Sequence, residues 1–69
     1  MSIIKISING EDLEIDSGQN IFQLVSNLEL DIDKIAIEKN KEIIHLEQYS
    51  EVKLKSGDSL EVIHFVGGG

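Results

Sequence analysis

Ile3-Ile4-Lys5-Ile6-Ser7-Ile8-Asn9-Gly10-Glu11-Asp12-Leu13-Glu14-Ile15-Asp16 is the stretch that decides the fold. Ile4, Ile6 and Ile8 alternate with Lys5 and Ser7, the period-two pattern of a strand with one face buried. Asn9-Gly10 then provides two residues that accept positive φ, which a type I′ hairpin turn requires at both central positions. Leu13 and Ile15, set between Asp12, Glu14 and Asp16, predict the returning strand with an acidic outer face.

Outward from this hairpin, Ser17-Gly18 ends the second strand. Asn20 is placed to cap a helix, and Gln23 three residues on completes a capping-box pattern. Ile21, Leu24, Val25 and Leu28 fall at i, i+3, i+4 and i+7, one apolar stripe on a short helix. Ile35-Ala36-Ile37-Glu38 reads as a third strand, Lys39-Asn40-Lys41 as a polar turn, and Glu42-Ile43-Ile44 as a short fourth strand. From His45 to Leu54 the pattern predicts a winding loop pinned by Leu46, Tyr49, Val52 and Leu54. Ser56-Gly57-Asp58 punctuates the chain before the longest strand signal, Ser59 to Val66.

Two strands, a helix, two short strands and a final strand make an α+β order. A mixed four- to five-stranded sheet folded over one helix satisfies it, with the first and last strands parallel in the centre and the intervening chain as the crossover. That is the ubiquitin-like β-grasp arrangement. The ferredoxin-like alternative needs a second full helix, which this pattern does not offer. The expected division is a domain over 1–66 and a flexible glycine tail over 67–69.

The composition narrows the function classes. The chain has 69 residues, 41% of them hydrophobic, enough for one small packed domain. Only three aromatics occur, so the core is expected to be mainly Ile, Leu and Val. Cysteine is absent, which removes disulfides, thiol nucleophiles and thiolate metal sites. Thirteen acidic against six basic residues give a net charge of −7, unfavourable for nucleic acid and for anionic membranes. No basic segment followed by a long apolar run opens the sequence, so a cytoplasmic location is expected.

Conventional catalytic equipment is sparse. His45 and His64 are far apart in sequence and lack the companions of a metal site, and no metal is expected. Glu29, Asp31 and Asp33 have the opening spacing of a calcium loop. Lys34 and Asn40, however, stand where that loop needs glycine and a bidentate glutamate. Gly18 stands alone, so no phosphate-cradling loop precedes the helix. The exception is Phe65-Val66-Gly67-Gly68-Gly69, where an apolar strand gives way to three glycines. Glycines without side chains to pack suit a projecting segment, and three extended residues reach ~10 Å.

The Asn9-Gly10 hairpin, the helix opening Gly18-Gln19-Asn20-Ile21 and the Ser56-Gly57-Asp58 approach to Leu60-Glu61-Val62-Ile63 together resemble the ThiS family. So, above all, does the ending His64-Phe65-Val66-Gly67-Gly68-Gly69. These are the sulfur-carrier proteins of thiamine biosynthesis, and the resemblance spans the whole chain. It departs from the family in having His45-Leu46 where many members carry Pro or another bulky group, and Tyr49 where they carry Trp.

The resemblance implies that the chain is a carrier rather than an enzyme. The α-carboxylate of Gly69 is the reactive group, and Gly67 and Gly68 form the tail. A ThiF-like adenylating enzyme consumes ATP to activate it, and a sulfur donor such as a cysteine desulfurase converts it to a thiocarboxylate. The acceptor is a ThiG-like thiazole synthase, and no cofactor stays bound.

Strand alternation adds a docking expectation. Leu60, Val62, His64 and Val66 should face the helix, leaving Ile63 and Phe65 on the open face beside Ala36 as a partner-binding patch. Two other readings share the fold. They are the small subunit of molybdopterin synthase, with the same tail chemistry, and a ubiquitin-like interaction module that is never activated.

Overall fold

The computed structural model describes residues 2–65. Strand β1 (Ile3–Ile8) turns through Asn9 and Gly10, at φ +52° and +85°, into β2 (Glu11–Asp16). Both central residues are thus left-handed, and the pair closes in the register Ile8↔Glu11 through Ile3↔Asp16. Helix α1 (Ile21–Asn27) follows. Asn20 Oδ1 accepts from Gln23 N–H at 2.7 Å while Asn20 N–H donates to Gln23 Oε1 at 2.9 Å, so the capping box is reciprocal.

Strands β3 (Ile35–Lys39) and β4 (Glu42–Ile44) form a second hairpin, and β5 (Ser59–His64) is the last strand among the described residues. The sheet order is β2-β1-β5-β3-β4. β1 and β5 run parallel in the centre, and every other neighbouring pair is antiparallel. One helix lies over this five-stranded mixed sheet, the expected β-grasp layout.

The core follows the alternation. Ile6 and Ile15 from the first hairpin, Ile21, Leu24 and Val25 from α1, Ile35 and Ile37 from β3, and Leu60 from β5 are all buried. Tyr49 and Leu54 enter from the long loop, whose chain is tied to the helix start by Ile21 N–H to Val52 C=O (3.1 Å) and Leu54 N–H to Gln19 C=O (2.8 Å).

Three expectations need correction. Leu46 does not pin the loop: it follows the edge strand β4, opens a short 3-10 helix (Leu46–Gln48) and is 54% exposed. The chain regains the core only at Tyr49. Leu28 caps the C-terminus of α1 and no further turn covers it, so it is 38% exposed rather than core. His64, expected toward the helix, is exposed at the end of β5, although Ile35 opposite it in the register is buried. A further 3-10 helix (Ile32–Lys34) precedes β3, with Asp31 Oδ1 accepting from Asp33 N–H at 3.1 Å. Among the described residues no helix is long and apolar enough to cross a membrane.

Candidate functional site

The candidate site is the end of β5 and the open sheet face beside it. Three clamps position this strand, two of them built on asparagine and aspartate side chains and one on the backbone. At its start, buried Asp58 accepts from Lys55 N–H at 2.8 Å and from Asn40 Nδ2 at 3.2 Å. Asn40 Oδ1 in turn accepts from Ser59 N–H at 3.0 Å, which joins the β3–β4 turn to the first residue of β5. Midway, Asn9 Oδ1 accepts from Val62 N–H at 2.8 Å and Asn9 Nδ2 donates to Val62 C=O at 3.3 Å. The Asn9 side chain therefore pairs with β5 as another strand residue would, after its own backbone has turned away. At the exit, Phe65 N–H donates to Lys34 C=O at 2.9 Å, holding the chain beyond the last strand residue.

The register then sets the open face. Ala36 is directly opposite Ile63, and Glu38 lies between Glu61 and Ile43. Ile63 is 47% exposed, Phe65 56% and Ile43 65%. Ala36 and Ile63 are thus direct neighbours across the pair, and Phe65 follows Ile63 by two positions along the chain. Ile43 joins them on the same face and was not foreseen, although Glu42-Ile43-Ile44 carries the signal: with Ile44 partly buried, alternation turns Ile43 outward. Glu38 and Glu61 rim the patch, which suits an apolar partner surface bordered by basic groups. Gly67, Gly68 and Gly69, the expected reactive segment, lie outside the described residues, as does Val66.

The remaining candidates have structural roles or none. His45 and His64 sit on different elements, both exposed. Among the described residues no group of three His, Cys, Asp or Glu side chains is arranged to hold a metal ion. Burial pushes the Tyr49 phenol above its ordinary pKa, so this residue is a neutral core member and not a general base.

Comparison with known proteins agrees with this geometry. The model of the ThiS family matches residues 6–69. The sulfur carrier protein ThiS of Bacillus subtilis is 38% identical over 65 residues, covering 93% of this chain and 98% of that protein. A thiazole synthase of Paramagnetospirillum magneticum is 36% identical over 66 residues, 96% of this chain, as is one from Magnetococcus marinus. The chain spans only 20% of the length of these two synthases. A crystal structure of the thiamine biosynthesis protein ThiS from Geobacter metallireducens superposes with a TM-score of 0.81 at 28% identity. It covers 96% of this chain and all of that one.

Proposed function

The chain belongs to the ThiS family, and from that premise we propose that it is a sulfur carrier of thiamine biosynthesis working through the α-carboxylate of Gly69. The observation that carries this reading is that the family match runs through Gly67-Gly68-Gly69, to residue 69. A carboxylate is a poor electrophile. Attack of its oxygen on the α-phosphate of ATP releases pyrophosphate and leaves an acyl adenylate, whose AMP is a good leaving group. Sulfide then attacks the carbonyl carbon and AMP departs to leave a thiocarboxylate. With a donor persulfide the attack gives an acyl disulfide, whose S–S bond a second thiol cleaves to release the thiocarboxylate and a disulfide. Because the chain has no cysteine, it cannot carry sulfur as a persulfide.

Activation and transfer are assigned to partners in the cytoplasm: a ThiF-like adenylating enzyme, a sulfur donor such as a cysteine desulfurase, and a thiazole synthase as acceptor. Two thiazole synthases that contain a segment similar to this chain support the last of these. The apolar patch of Ala36, Ile43, Ile63 and Phe65 is the proposed seat for the activating enzyme. It lies where β5 leads toward the reactive end, so docking there would aim the glycines at the partner's active site. In this scheme the chain binds no cofactor of its own, and ATP is bound by the activating enzyme. The reading is tested by ATP–pyrophosphate exchange with the adenylating enzyme. Exchange should depend on this chain and vanish on deletion of Gly69; exchange that survives the deletion would contradict it.

A further inference from the structure

We propose that the groove between the free edge of β2 and the end of α1 docks an extended segment of a partner protein in which basic and apolar side chains alternate. Two adjoining hollows of about 300 and 350 Å³ share Leu13 and Leu28 and run along this edge. Their apolar floor includes Leu13, Ile15, Leu24 and Leu28, and the 38% exposure of Leu28 falls here. At one end Gln19 lines the groove, and its Oε1 is buried without a hydrogen-bond partner among the described residues.

Backbone phase makes this edge receptive. β2 is the outermost strand on its side of the sheet. A two-residue hairpin turn makes Ile8 and Glu11 a hydrogen-bonded pair, so Leu13 and Ile15 also direct their N–H and C=O toward β1. Ser17 N–H to Ser2 C=O at 2.9 Å continues the same phase. The backbone groups of Asp12, Glu14 and Asp16 therefore point away from the sheet, with no strand beyond them among the described residues.

Side chains then select the occupant. Asp12, Glu14 and Asp16 present exposed carboxylates on the open face, while Leu13 and Ile15 face the groove. A strand added to β2 would place alternate residues over the apolar floor and the others beside three carboxylates. Basic residues at those positions are complementary. A second copy of β2 would oppose acid to acid and is disfavoured, as charged edges generally disfavour self-pairing.

The test is NMR titration of the full chain with a short capped peptide in which lysine and valine alternate. Amide shifts confined to Asp12, Glu14, Asp16 and the end of α1 are expected. Replacing valine-flanking backbone N–H groups by N-methyl should abolish them. Binding should weaken about tenfold or more in the Asp12→Lys, Glu14→Lys, Asp16→Lys variant, whose altered side chains are all solvent-exposed. If that variant does not fold, the single Glu14→Gln change and a glutamate–valine peptide give the same comparison. The proposal is overturned by absence of shifts, by shifts centred on Ile63, or by equal binding of the lysine and glutamate peptides. Concentration-dependent self-association through β2 would overturn it as well. None of these readouts involves Gly69 chemistry, so the groove and the carrier role stand or fall separately.

Discussion

Replacing Asn9 separates the two tasks its side chain and backbone perform. Its φ of +52° is costly for a residue with a Cβ but tolerated by Asn, and its side chain makes both hydrogen bonds to Val62, at 2.8 and 3.3 Å. A hydrogen bond of this kind contributes a net ~0.5–1.5 kcal/mol, with the longer one at the low end. Asn9→Gly keeps the turn relaxed and loses both bonds, so a loss of ~1–2 kcal/mol is expected. Asn9→Ala loses the same bonds and adds a left-handed penalty of ~1 kcal/mol, giving ~2–3 kcal/mol in total. Urea unfolding reads both, because a small domain loses ~1 kcal/mol of stability per molar denaturant and the midpoints should fall by ~1–3 M. The order wild type, then Gly, then Ala is the prediction. Asn9→Gly as stable as the wild type would show that the clamp on β5 contributes nothing.

Phe65→Ser or Ile63→Ser should weaken binding to the activating enzyme by more than ~1 kcal/mol, as removal of interface anchors does. Each should lower stability far less than the ~3–5 kcal/mol of a buried aromatic truncation, and paired calorimetric and thermal measurements compare the two. Lys41, at φ +71° in the β3–β4 turn, holds a left-handed conformation, so Lys41→Gly should raise stability by ~0.5–1 kcal/mol in the same urea assay. Tyr49, whose phenol is raised by burial, is the only tyrosine and can be followed by ultraviolet titration. Its contribution is present below the unfolded pKa of ~10 and is lost as pH rises through the higher folded value, so unfolding should accompany its ionisation.

Much of this fold was legible because its signals are local. Alternation in Ile4–Ile8, the Asn9-Gly10 turn and the Asn20/Gln23 box each involve neighbours in sequence, and all formed as expected. The same alternation placed Ile63 opposite Ala36 on the open face. What escaped depends on distant partners. Asn9 and Val62 are 53 positions apart, and no local pattern announces a side chain substituting for a strand residue. Asn40 and Asp58 likewise meet only once β3 and β5 are paired. Leu28 and Leu46 were misplaced because hydrophobicity shows a preference for burial but not whether an element lies over the position. Ile43 was missed on a strand of three residues, too short for its alternation to stand out.

Intact-protein mass spectrometry is the direct test of whether this chain carries sulfur on the α-carboxylate of Gly69. The full chain is incubated with ATP, the adenylating enzyme and the sulfur donor, then weighed and fragmented. The expected product is heavier by the difference between one sulfur and one oxygen, with the change confined to the fragment containing Gly69. An unchanged mass beside an adenylating enzyme proven active on another carrier, or sulfur found elsewhere in the chain, would contradict it.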